Sequence, residues 1–196
     1  GVTASITGAS PLEGQSVKQA IELAIKVINE KGGVLGGRPL VGVYEDDQLT
    51  TDGAINAVNK LCSDDRIVAI TGMNRSNSVL AVEQIVRDAK MPFFYTGSSP
   101  SLYDLDNPYL FRMCPSDSIQ ALNGITYLVE KLGATKIKIL YTTDDYGTGA
   151  FGVFEDYCKK TGTEYVGLPY NAGERDYTGQ LLQLKNAGCD SLLLWG

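Results

Sequence analysis

The stretch IVAITGMNRSNSVLAVEQIVRDAKMPFFY, residues 67–95, decides the fold. It opens on Ile67 to Thr71, a short run rich in β-branched residues that reads as a strand. Gly72 breaks that run, and a turn rich in amides and hydroxyls follows, Asn74-Arg75-Ser76-Asn77-Ser78. From about Ser78 to Ala89 the apolar residues Val79, Val82 and Val86 recur at helical spacing. A second apolar run, Pro92 to Tyr95, comes next. Strand, helix, strand is one βαβ unit, and its strands lie parallel because the helix returns the chain across the sheet.

The same alternation extends in both directions. Upstream, a strand at residues 2–6 leads to a helix from about Gln15 with apolar positions Val17, Ile21, Ala24, Ile25 and Ile28, stopped by Gly32-Gly33. A second strand is predicted at Leu40 to Tyr44, with Glu45-Asp46-Asp47 at its carboxyl end. A helix with Asp52 near its start then carries Ala54, Ala57, Val58 and Leu61. Downstream, a loop runs from Thr96 to Pro108 and a strand from Tyr109 to Met113. After Cys114-Pro115 the pattern restarts with a long helix (Leu122, Ile125, Leu128, Val129, Leu132) and a strand, Lys136 to Tyr141. A helix with Phe151, Phe154 and Cys158, a strand near Tyr165, a helix near Leu181 to Leu184 and a last strand, Ser191 to Trp195, complete the chain. The expected fold is α/β, with two doubly wound parallel-sheet lobes: residues 1–115 form the first and residues 116–196 begin the second.

Composition narrows the function classes. Hydrophobic residues make up 43% and charged residues 20%, an ordinary globular balance. The net charge of −6 argues against nucleic acid, which calls for a basic face. No apolar run approaches the roughly 20 residues that span a bilayer. The chain opens directly on a strand with no signal peptide ahead of it, as a processed chain would. The four cysteines form no C-x-x-C pair, and with no histidine present a metal site is not expected. The missing histidine also removes the commonest general base and the Ser-His and Cys-His nucleophile pairs.

In open parallel sheets, ligands bind outside the carboxyl ends of the strands, at helix starts. That rule selects Gly72 to Ser78, Thr96 to Ser99, and Asp144 to Gly149. Ser76 and the amides around it either cap a helix or capture an anion. Arg75 is either a solvated surface residue or a reader of a second acidic group. Thr96-Gly97-Ser98-Ser99-Pro100-Ser101 holds four hydroxyls around one glycine, more than a turn needs, and reads as a binding loop. Tyr146 is either a packing residue or a ligand contact at a strand's carboxyl end. The acids Glu45, Asp46, Asp47, Asp144 and Asp145 are read as solvated or capping loop acids. Gly147, Gly149 and Gly152 match G-x-G-x-x-G, so a nucleotide-dependent enzyme is one alternative. Asp144 and Asp145 would repel a pyrophosphate there, and tight turning explains the same glycines.

Taken together, these segments resemble the type I periplasmic binding proteins of the leucine/isoleucine/valine-binding kind, which serve branched-chain amino-acid ABC transporters. The likeness includes Thr7-Gly8, the run Ile28 to Pro39, Glu45-Asp46-Asp47-Gln48, Phe111-Arg112, Asp144-Asp145-Tyr146-Gly147 and Leu194-Trp195-Gly196. The resemblance implies a non-enzymatic trap for a small carboxylate-bearing ligand such as an amino acid, with no cofactor. Its partner is a membrane permease, and its place is periplasmic or extracellular, membrane-associated if lipidated. A ligand sensor of the same fold is the alternative within the family. By the same resemblance Ser76 and Ser98 hold the ligand's carboxylate, the Thr96 carbonyl beside Gly97 takes its ammonium, and Tyr146 closes over it from the second lobe. Arg75 departs from the small residue usual at its position, which questions a purely aliphatic ligand. Family members run to roughly twice this length. The second lobe is therefore expected to be incomplete and the first to lack part of its sheet, as in a fragment, an assembly missing a piece or a swapped oligomer.

Overall fold

The computed structural model describes residues 1–196. The chain divides into two compact units, one of residues 1–97 and 106–114, the other of residues 98–105 and 115–196.

The first unit holds β1 (Val2–Ala4), α1 (Pro11–Glu30), β2 (Tyr44–Asp46), α2 (Thr51–Cys62), β3 (Ile70–Thr71), α3 (Ser76–Ala89), β4 (Phe93–Tyr95) and β5 (Leu110–Arg112). Its five strands run parallel in the order β2-β1-β3-β4-β5. The helical stripes foreseen from spacing are the ones that bury: Ala54, Ala57, Val58 and Leu61 of α2, and Val79, Val82 and Val86 of α3. Ile70 of β3 and Phe93 of β4 are fully buried as well. By contrast α1 buries only Gly14 completely, and Leu12 and Leu23 stand in solvent. Gly14 lets α1 approach β1, since a β-carbon there would lie 2.0 Å from the Ser5 carbonyl oxygen.

Several boundaries differ from the sequence expectation: β1 ends at Ala4, β3 begins only at Ile70, α3 begins already at Ser76, and two further shifts have a visible cause. Helix α1 starts at Pro11 instead of near Gln15, because proline's fixed φ and missing N–H suit a first helical position. The second strand covers Tyr44–Asp46 instead of Leu40 to Tyr44. Asn29 accounts for the shift. Its side chain accepts from the Leu40 amide at 2.7 Å and donates to the Leu40 carbonyl at 2.9 Å, so those groups leave the ladder. Pairing with β1 begins only where the Val2 amide meets the Val43 carbonyl at 2.8 Å. Glu45 and Asp46 therefore lie within the strand.

In the second unit a 3-10 turn, Pro100–Tyr103, comes first, followed by α4 (Asp117–Thr126) running into a π turn at Tyr127–Lys131. Then come β6 (Lys136–Thr142), α5 (Asp145–Thr161), β7 (Glu164–Tyr170), α6 (Thr178–Asn186) and β8 (Ser191–Trp195). The three strands are parallel, in the order β7-β6-β8. Side chains of β6 alternate between faces. Ile137 and Ile139 pack with Ala121 and Ile125 of α4 and with Ala150, Phe154 and Cys158 of α5. Leu140 packs with Leu168 and with Leu184 of α6. Helices on both faces of a parallel sheet make this unit doubly wound. No helix in either unit is long and apolar enough to cross a membrane.

Candidate functional site

The first unit presents its helix starts at the carboxyl ends of β1 and β3, which are neighbours in the sheet. Gly72 makes the turn after β3 possible. Its φ is +110°, and a β-carbon would sit 2.2 Å from the Thr3 carbonyl oxygen. Two residues on, Asn74 and Arg75 both reach the Glu13 carboxylate in the first turn of α1. Asn74 Nδ2 donates to Glu13 Oε1, and Arg75 Nη2 donates to Glu13 Oε2 at 3.2 Å. Arg75 occupies the cap position of α3 in an extended conformation but offers the helix no side-chain acceptor. Ser76 follows as the first residue of the helix, with only 2% of its surface exposed. A cap without an acceptor leaves the first-turn amides to other partners, and their positive end favours an anion.

Thr96 and Gly97 follow β4. The Thr96 amide donates to the Met73 carbonyl at 2.9 Å, tying this loop to the turn that carries Ser76. The Thr96 side chain is exposed and Gly97 is buried. The Thr96 carbonyl already accepts from Cys114 Sγ at 3.1 Å; a carbonyl has two lone pairs, so one further donor fits.

Ser98 belongs to the second unit and is spoken for. Its Oγ donates to Asp117 Oδ2 at 2.9 Å, and its carbonyl accepts from the Asp117 amide at 2.8 Å. Asp117 is 1% exposed. A serine hydroxyl has one proton, and this acid holds it. Tyr146 lies in the first turn of α5, half-buried, its ring stacked on Trp195 with centroids 5.9 Å apart and planes at 29°. Trp195 in turn meets the edge of Phe154 at 5.4 Å, and its indole nitrogen is buried with no hydrogen-bond partner.

The glycine motif has a local explanation. Asp144 caps α5 by accepting from the Gly147 amide at 3.0 Å, so a phosphate would find that donor taken by a carboxylate. A β-carbon at Gly147 would lie 2.1 Å from the Thr142 carbonyl oxygen, and one at Gly149 would lie 2.8 Å from Ser99 Oγ. The acids near β2 also bond locally. Glu45 pairs with Lys60 at 2.7 Å, and Asp47 accepts from Ser5 Oγ at 2.5 Å. Burial pushes the Asp46 pKa up, but hydrogen bonds from Thr7, Gln48 and Ile6 outweigh it and leave the carboxyl below its usual range.

The structure thus adds Glu13 and Asn74 to the candidate residues of the first unit, and Asp117 and Trp195 to those of the second. Sequence reasoning passed over Glu13, whose partners lie 61 and 62 positions away, and Asp117, whose partner lies 19 away; Asn74 stood in a selected turn, but nothing local showed its bond to Glu13. Trp195 carried a signal, its place at the end of the last strand.

A profile of the family described as "Periplasmic binding protein" matches residues 1–196, the whole chain. The chain belongs to that family. Its relatives include the Leu/Ile/Val-binding protein homolog 2 of Brucella abortus, 26% identical over 199 residues that cover all of this chain and 53% of that protein. The chain therefore spans about half the length of the curated relatives it matches. Among solved structures, a leucine binding protein from Thermotoga maritima superposes with a TM-score of 0.89 at 23% identity, covering 98% of this chain and 54% of that one. An ABC transporter substrate-binding protein from Desulfitobacterium hafniense, in complex with Leu, gives 0.77 at 27%, covering 98% and 56%. These family members carry the same parallel α/β architecture.

Proposed function

We propose that this chain is part of a non-enzymatic solute-binding protein that captures an amino acid, of the branched-chain class, outside the cytoplasm and passes it to a membrane ABC permease. The observation that carries this reading is Ser76. A buried hydroxyl stands at the first position of α3, beside first-turn amides that the cap residue leaves without a side-chain acceptor. A carboxylate offers about four acceptor sites and suits such a set of neutral donors. In this reading the exposed Thr96 carbonyl takes the ammonium, Gly97 keeps the loop slim beside it, and Tyr146 supplies a further ligand contact. Ser98 serves the carboxylate only by exchanging its bond to Asp117. The names of the relatives support an amino acid as the solute.

Calorimetry on the native polypeptide at full length tests this, with leucine, isoleucine and valine against their amides. Ser76→Ala is expected to weaken binding by roughly tenfold or more, since a hydrogen bond to a charged group is at stake. Ser98→Ala is expected to weaken it as well, with the bond to Asp117 lost in the same change. Equal binding of acid and amide would overturn the carboxylate reading.

A further inference from the structure

The charged group nearest Ser76 in the chain is the Arg75 guanidinium, which Glu13 contacts at 3.2 Å. Arg75 immediately precedes Ser76, and a guanidinium next to a carboxylate site is what a second ligand carboxylate would seek. Yet both oxygens of Glu13 are committed on this side, Oε1 to Asn74 and Oε2 to Arg75 at 3.2 Å. Arg75 Nε is buried with no hydrogen-bond partner, so the guanidinium retains donor capacity that Glu13 does not use. The two side chains are 39% and 42% exposed. Water screens such a pair, and its worth lies in local charge balance more than in stability. Glu13 reaches this place because α1 follows β1, α3 follows β3, and those two strands are adjacent.

Building on the proposed function, we infer that Glu13 is a specificity-determining residue: by neutralising Arg75 it excludes acidic amino acids and restricts the site to ligands with an uncharged side chain. It does so in two ways. It engages Nη2, one of the donors a second carboxylate would use, and it repels that carboxylate directly. No contact between Glu13 and the ligand is required. Replacing Glu13 with glutamine keeps the length of the side chain and an oxygen for Asn74 and Arg75 while removing the charge. Arg75 then becomes an uncompensated cation one residue from Ser76.

The experiment measures leucine and L-glutamate affinities by calorimetry on the native polypeptide at full length, for the wild type, Glu13→Gln, and Glu13→Gln combined with Arg75→Gln. The expected result is that the wild type binds leucine and rejects glutamate. Glu13→Gln should bind leucine within about threefold of the wild type and gain roughly tenfold or more for glutamate. The double variant should lose that gain, which ties the effect to Arg75 and not to a loosened α1. Wild-type protein that binds glutamate as well as leucine would overturn the inference and leave the carboxylate reading standing. So would a Glu13→Gln variant that keeps leucine and gains nothing for glutamate. Binding of neither amino acid by the wild type would overturn the proposed function and this inference with it.

Discussion

At the scale of single residues, the candidate groups of each unit have partners that decide what they can still do. Ser76 and Ser98 have the same side chain and look equivalent in the sequence. One is buried at a helix start. The other gives its proton to a buried acid at 2.9 Å. Tyr146 is positioned by a ring and not by a loop: Trp195 lies against it, braced by Phe154. Stacking holds the phenol's direction, and in the proposed function its hydroxyl contacts the ligand. Tyr146→Phe should therefore weaken amino-acid binding by roughly tenfold with little change in thermal midpoint. Trp195→Leu removes the brace, and should weaken binding while also lowering the midpoint. Unchanged affinity in Tyr146→Phe would make that residue a packing group alone. Trp195 is the one tryptophan of the chain, so its emission reports on Tyr146 without interference from another indole in these residues.

At the scale of elements, the starts of strands are secured by side chains from elsewhere. Asp190, just ahead of β8, accepts from the Thr135 amide and from Thr135 Oγ1, both at 2.8 Å, and from the Lys136 amide at 3.2 Å. It thereby sets the register in which Ile137 of β6 meets Ser191 of β8. The hydrogen bond from the Thr135 amide is the largest influence on its acidity, and the carboxyl falls from 3.8 to about 2. A depressed folded-state pKa means the charged form is favoured by folding. The contribution is complete above about 3.8 and is lost as the pH falls through about 2. Thermal midpoints measured from pH 5 to pH 2 should accordingly fall more steeply in the wild type than in Asp190→Asn, whose neutral amide cannot titrate. Parallel curves would show that this carboxylate contributes nothing to the acid limb.

At the scale of the whole molecule, the chain is two units, each organised around its own parallel sheet. The core of the second is concentrated in one layer, with Phe154 fully buried among Ile125, Ile137, Ile139 and Ala150. Truncating such a residue leaves a void and costs about 3–5 kcal/mol. Phe154→Ala should then open the second unit preferentially. Hydrogen exchange should show amides of Ile137 and Ile139 losing protection while those of Ile70 and Val82 in the first unit keep theirs. Simultaneous loss in both units would mean that the chain unfolds as one cooperative body.

How much of this was legible in advance follows from what each property depends on. The alternation of strand and helix, the parallel sheets and the buried stripes of α2 and α3 could be read directly, because hydrophobic periodicity is a local record of which face meets a core. Ser76 could be placed in the turn ahead of α3, though the helix itself begins at Ser76 and not near Ser78. The beginning of β2 could not, since it hangs on Asn29 bonding to Leu40 across a turn of the chain. Nor could the difference between Ser76 and Ser98, the restraint of Arg75 by Glu13, or the stacking of Tyr146 on Trp195. By itself the sequence determined which segments form the sheets and which turns stand at their carboxyl ends. Only the tertiary structure decided which donors and charges at those turns are already taken, because a hydrogen bond or an ion pair depends on distance in space, and residues 62 positions apart in the chain can be 3.2 Å apart in the fold.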